Sequence, residues 1–190
     1  MFDCQRIVVF DTEWTSWTGF RESRWTQPGR YREIVQIGAI ALEVEAEFRE
    51  IDSFQILVQP KKNPVLREFF IELTGITQNM VDADGVGFPE ALASFMNFAE
   101  QEPVQFASFG KDEKVVEANC NLCELPMPIG FADSVDIRQE FLDRNIIEEF
   151  WFSSELPHRL GLPPVGKAHD ALADSRALAA ALRHIGNRLE

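Results

Sequence analysis

Ile7-Val8-Val9-Phe10 are four consecutive apolar residues, followed at once by Asp11-Thr12-Glu13. An unbroken apolar run of this length predicts a strand buried on both faces. Residues i and i+2 of a strand share a side, so Asp11 and Glu13 are expected to present their carboxylates together at its C-terminal end. Ile34 to Leu42 predicts a second strand. Phe48 to Val58 predicts a third, with Ile51, Phe54, Ile56 and Val58 in partial alternation. The short connection between these two suggests an antiparallel meander. Pro60 and Pro64 close the run. Leu66 to Leu73 predicts a short helix stopped by Gly75, and Thr77 is placed to cap another that runs through Val81.

Phe88 to Glu100 predicts a longer helix, because Phe88, Leu92, Phe95 and Ala99 fall on one stripe. Val104 to Ser108 reads as a strand and Phe109-Gly110 as a turn. Lys111 to Leu122 reads as a helix with Val115, Val116, Ala118 and Leu122 inward. Phe131 to Ile137 reads as a strand leading into a helix that ends near Arg144. In Glu148 to Pro164, the leucines at 156, 160 and 162 predict one short packed helix. The last helix is expected from Ala171 to Leu189, with a stripe of Ala171, Leu178, Leu182, Ile185 and Leu189. Three strands followed by alternating helices and strands predict an α/β fold with a mixed central sheet flanked by helices. No internal repeat or low-complexity tract interrupts it.

Two acids break the apolar pattern. Asp112 lies three and four residues before Val115 and Val116, on the inward face of its helix. Asp174 lies three after Ala171 and four before Leu178. His169 sits just ahead of that last helix, near its positive end. In open α/β sheets, sites gather at the carboxyl ends of strands. Asp11 and Glu13 are expected at such an end, and Asp112 just beyond one.

Length and charge narrow the picture. The 190 residues suit one domain with a substantial core, and a net charge of −13 argues against a general electrostatic grip on nucleic acid. It leaves room for a nucleic acid held through metal ions and a local basic patch. No run approaches the ~18 apolar residues of a membrane helix, and the first strand leaves no space ahead of it for a signal peptide; a cytoplasmic protein is expected. Cys4, Cys120 and Cys123 give no disulfide framework. The lone C-x-x-C pair lacks the further ligands zinc needs, and packing as small hydrophobes is the expectation for it.

One segment departs from the acidic average. Between Trp14 and Arg32 the chain carries three of its four tryptophans, at 14, 17 and 25, and arginines at 21, 24, 30 and 32. Gly and Pro punctuation marks it as a loop. Its aromatics either stack on bases, with the arginines on phosphates, or fold back onto the domain.

Any one buried acid is usually half of an ion pair. Four acids arriving with a histidine favour a metal site, because like charges repel and burial makes each costlier. Oxygen donors of this kind select Mg²⁺ or Mn²⁺. Two such cations about 3.5–4 Å apart clamp both the attacking and leaving oxygens of a phosphodiester, and a histidine suits the base that takes a proton from water near neutral pH.

These residues resemble a known family. Phe10-Asp11-Thr12-Glu13 looks like the first motif of the DEDDh 3′–5′ exonucleases, Ser108-Phe109-Gly110-Lys111-Asp112 like the second, and His169-Asp170-Ala171-Leu172-Ala173-Asp174 like the third. The three stand in family order and span nearly the whole chain, 1–190, read as a single exonuclease domain. Leu73-Thr74-Gly75-Ile76-Thr77 and the stretch from Arg32 to Gly38 are similar to the Eri-type branch, which includes histone-mRNA and small-RNA 3′ exoribonucleases and KapD-like proteins. The resemblance implies a ribonuclease H-like fold, two Mg²⁺ or Mn²⁺ per site, and release of nucleoside 5′-monophosphates from the 3′ ends of single-stranded RNA or DNA, with RNA favoured. It implies Asp11, Glu13, Asp112 and Asp174 as catalytic metal ligands and His169 as general base. Thr12 and Trp14 would lie beside the terminal sugar, and Leu73 and Thr74 against the terminal base. Asp112 is preferred to Glu113 for its inward face. His158 and His184 read as ordinary surface or packing residues. Two other classes compete: a non-enzymatic nucleic-acid-binding or scaffold relative, which should lack one of the acids or the histidine, and a phosphohydrolase of small nucleotides or dinucleotides, which the absence of a broad basic surface favours. Nothing in the sequence implies an oligomeric state.

Overall fold

The structure is a computed structural model that describes residues 2, 4–20, 27–99 and 104–186. Strand β1 (Arg6–Trp14) runs through its middle. Its residues divide by parity. Ile7 and Val9 join one core cluster with Leu178 and Leu182, while Val8 and Phe10 join another with Phe95 and Val115. Both faces are therefore covered, which is why the run is apolar without alternation. Strand β2 (Ile34–Glu43) pairs antiparallel with β1, and β3 (Arg49–Gln59) antiparallel with β2.

The chain then crosses over through helices α1 (Glu68–Thr74) and α2 (Gln78–Asp84), the short strand β4 (Val86–Gly87) and helix α3 (Phe88–Ala99). It returns as β5 (Val104–Ser108), parallel to β1 on the other side. Helix α4 (Asp112–Leu122), strand β6 (Val135–Asp136), helix α5 (Ile137–Asp143), a single turn α6 (Leu156–Arg159) and the long helix α7 (Ala171–Ile185) complete it. Among the described residues the sheet order is β4-β3-β2-β1-β5-β6, mixed as expected. Helices α3 and α4 cover one face, and α5 and α7 the other. No helix among the described residues is long and apolar enough to cross a membrane.

Several elements differ from the sequence pattern. Ile51 does not share the alternation of Phe54, Ile56 and Val58. The register slips beside it, with Ala41 opposite Asp52 and Leu42 opposite Glu50, so Ile51 is the extra residue of a bulge and is exposed. The strand expected over 131–137 is mostly a 3-10 turn at Phe131–Asp133. Gly130 enters it at φ 94°, and the buried Phe131 ring stacks 4.3 Å from Phe106, leaving only Val135 and Asp136 to pair with β5. Helix α1 starts at Glu68 rather than Leu66, and α2 runs to Asp84 rather than Val81. On α4 the buried face is Val115, Val116, Asn119 and Cys120; Ala118 and Leu122 are half-buried. Asn119 is polar yet inward because all its bonds are met. Its Oδ1 accepts from the Ile34 N–H at 3.0 Å, and its Nδ2 donates to the carbonyls of Arg32 and Val115. Cys120 packs in the core. Glu100 and the residues expected to extend the last helix to Leu189 lie outside the described residues, as do Arg21, Arg24 and Trp25.

Candidate active site

The parity of β1 aims its polar end in two directions. Asp11 and Glu13 continue the Ile7–Val9 face toward α7, and Thr12 continues the Val8–Phe10 face toward α4. Helix α4 begins just past the end of β5, with Asp112 as its first residue. Thr12 reaches it: both the Thr12 N–H and hydroxyl donate to Asp112 Oδ1, at 3.1 and 2.6 Å. Asp174 lies in the first turn of α7, 3% exposed, and its Oδ2 accepts the His169 N–H at 3.2 Å. Helix α7 is set on the sheet by two polar contacts. The Ala171 N–H donates to Gln36 Oε1 at 2.8 Å, and the Ser175 hydroxyl donates to the Gly38 carbonyl at 3.1 Å.

The four carboxylates consequently face one another. Burial, then the charges of Asp112, Asp174 and Glu13, push Asp11 well above the ordinary carboxylate range. Burial, then the charges of Asp174, Asp112 and Asp170, push Glu13 up as well. Burial raises Asp112 to about 6 against the Thr12 hydrogen bonds, and raises Asp174 to about 7 against the bond from His169. No described lysine or arginine forms an ion pair with any of the four. A cluster of hard oxygen donors with this much unrelieved repulsion fits divalent cations of the Mg²⁺ or Mn²⁺ kind.

His169 is held at φ 61°, a left-handed conformation that costs a non-glycine residue energy and that surrounding contacts must enforce. One donor atom each from Glu13, His169 and Asp174 lies within 4.8 Å of the others. The imidazole thus stands at the edge of the carboxylate cluster.

These groups line a cleft of about 610 Å³ with Thr12, Trp14 and Leu73. Thr74, expected against a base, is not on its wall. Its side chain is buried, donates to the Phe70 carbonyl and accepts from the Ile76 N–H, because Thr74 closes α1 ahead of Gly75 at φ 78°. Its carbonyl instead accepts the Lys167 ammonium at 3.0 Å, tying the turn that carries Leu73 to the loop that carries His169. In the Trp-Arg loop, Trp17 and Phe20 are buried, and the Arg30 guanidinium sits 5.2 Å over Trp17, so these aromatics pack on the domain. Trp14, under Arg32, keeps one side on the cleft.

Sequence reasoning missed three contributors. Ser153 hydrogen-bonds Asp174. Lys167 and Arg138 also belong to the site's surroundings. No periodicity or motif distinguished them from surface residues; only Lys167 had a signal, its place two residues before His169.

The exonuclease family, RNase_T, matches residues 8–182. ERI1 exoribonuclease 2 of Mus musculus is 27% identical over 195 residues, covering 90% of this chain and 27% of that protein. The 3′-5′ exoribonuclease 1 of Rattus norvegicus is 28% identical over 158 residues, covering 77% of this chain and 43% of that one. The chain therefore spans less than half the length of these relatives. The solved nuclease domain of 3′hExo, a DEDDh family member bound to rAMP, superposes with a TM-score of 0.84 at 23% identity, over 96% of this chain and 92% of that domain. The mixed sheet with its flanking helices is the ribonuclease H-like fold of that domain. From its first strand to its last helix, this chain belongs to the exonuclease family.

Proposed function

We propose that the chain, acting as one exonuclease domain, hydrolyses phosphodiester bonds from the 3′ end of single-stranded nucleic acid, RNA before DNA, and releases nucleoside 5′-monophosphates. The observation that carries this is the convergence of Asp11, Glu13, Asp112 and Asp174, with no ion pair to a described lysine or arginine, beside His169. The exoribonuclease names of the relatives support RNA and the 3′ direction.

Asp11, Glu13 and Asp174 would hold one cation, and Asp11 with Asp112 a second. Bound there, the pair supplies charge neutralisation for the carboxylates and for the phosphoryl oxygens during hydrolysis. Thr12 fixes Asp112 for this task through its two hydrogen bonds. The His169 imidazole takes the proton of the attacking water, a role its position at the cluster's edge allows. Leu73 packs against the terminal base and Trp14 beside its sugar, both on the cleft wall.

The test is a 5′-labelled single-stranded RNA and its DNA counterpart, each incubated with Mn²⁺ and then with EDTA. A 3′-shortening ladder that EDTA abolishes, faster on RNA, is expected. Intact oligomers of both kinds would remove the proposal.

A further inference from the structure

Near Asp112, whose raised pKa its charge partly offsets, the cleft carries an arginine that the reaction described above does not use. Arg138 is the second residue of α5 and lines the cleft with Phe109 and Phe150. Its guanidinium lies 4.2 Å from the Phe150 ring centre and 5.9 Å from that of Phe109. Gly110, at φ +127°, makes room for it: a side-chain carbon there would fall 2.9 Å from Arg138 Nη2. Among the described residues Arg138 makes no ion pair and no side-chain hydrogen bond, although the chain has 31 acids to 18 bases. Aromatic rings hold the flat guanidinium without consuming its N–H groups. What remains is a rigid fork of donors facing a cleft, the geometry that takes a phosphate.

Topology says which phosphate. Leu73 reaches the cleft from α1, on the β3–β4 side of the sheet, and Arg138 from α5, just past β6 on the other edge. The carboxylates of β1 lie between them. If the terminal base packs on Leu73 and the scissile phosphate meets the carboxylates, Arg138 stands where the chain leads away toward its 5′ end. Phe150 is 57% exposed, so its ring is open to an incoming base.

Resting on the exonuclease reading, we propose that Arg138 and Phe150 form a subsite for the nucleotide on the 5′ side of the scissile bond. Arg138 holds that nucleotide's own 5′ phosphate, and Phe150 stacks its base. The enzyme then distinguishes substrates by the phosphate upstream of the bond it cuts.

The experiment compares three substrates with Mn²⁺: a dinucleoside monophosphate, a trinucleotide with two phosphates, and a trinucleotide whose upstream linkage is a neutral methylphosphonate. The wild-type protein should show kcat/KM about 10-fold or more higher on the charged trinucleotide than on the other two, as one charge-assisted contact provides. Arg138→Met should collapse that ratio to about 1–2, Arg138→Lys should keep part of it, and Phe150→Leu should lower both trinucleotides equally. The methylphosphonate comparison uses unaltered protein, so it decides the matter even where a variant folds poorly. A wild-type enzyme that cuts all three alike, or an Arg138→Met protein with the full ratio, overturns the subsite alone. A wild-type protein that cuts none of them, and no longer oligomer, overturns the exonuclease reading and the subsite with it.

Discussion

The backbone nitrogen of Leu172 lies 2.1 Å from where a side-chain carbon on Gly38 would be, and the Ala171 carbonyl carbon 2.3 Å from it. Gly38 stands directly opposite Asp11 in the β1–β2 ladder. The missing side chain is what lets the first turn of α7 settle onto the sheet beside Asp11, and Asp174 rides on that turn. The glycine is thus part of the site without touching its chemistry.

Gly38→Ala should therefore lift the start of α7. Overpacking of this kind costs about 1–3 kcal/mol, and a displacement near 1 Å of Asp174 lowers turnover by roughly 10²-fold. Melting temperature and single-turnover rate check both. A variant with wild-type activity would show that α7 does not need this close approach.

The carboxylate cluster sets a pH dependence for the metal-free protein. In the unfolded chain these acids titrate near about 4. In the folded chain Asp112 is raised to about 6 and Asp174 to about 7, with Asp11 and Glu13 also raised. Between those values the folded state binds more protons than the unfolded one, so stability falls as pH rises from about 4 through 7. Thermal melts in EDTA should show that decline beneath any other pH effects, and Mn²⁺ should raise the melting temperature more at pH 8 than at pH 5. Asp11→Asn should flatten the decline and abolish activity. A melting temperature in EDTA that climbs steadily over this window, with no added slope from Asp11→Asn, would count against the cluster as the source.

His169 has two competing roles, since its donor atom is close enough to Glu13 and Asp174 to share a cation. As general base, its loss in His169→Ala should lower turnover by about 10²-fold or more while Mn²⁺ still stabilises the fold. If the Mn²⁺-induced rise in melting temperature disappears together with activity, His169 is a ligand instead.

Lys167 ties Thr74 to the His169 loop through one charge-assisted hydrogen bond. Lys167→Met should free the turn that carries Leu73 and raise KM for oligonucleotides by roughly 10-fold, the worth of one such bond, with a smaller change in kcat. Equal falls in kcat and kcat/KM would place its effect on His169 rather than on Leu73.

Asp11 and Glu13, one residue apart at the end of an apolar strand, and Asp112 and Asp174, on otherwise apolar helix positions, were visible in the sequence because each broke a local period. So were the β1–β2–β3 meander and most of the helices, since burial on one or two faces writes itself into neighbouring residues. The short pieces were not: β4 and β6 are two residues each and pair only because β3 and β5 offer open edges. Ile51 read as inward because a bulge leaves no mark on composition.

Tertiary structure alone decided that Thr12 turns to Asp112 and that Arg138 rests between Phe109 and Phe150. Thr12 and Asp112 are 100 residues apart in sequence, and Arg138 meets Phe109 from a distant helix in the gap that Gly110 leaves. Local periodicity reports which face a residue takes; it does not report what waits on that face.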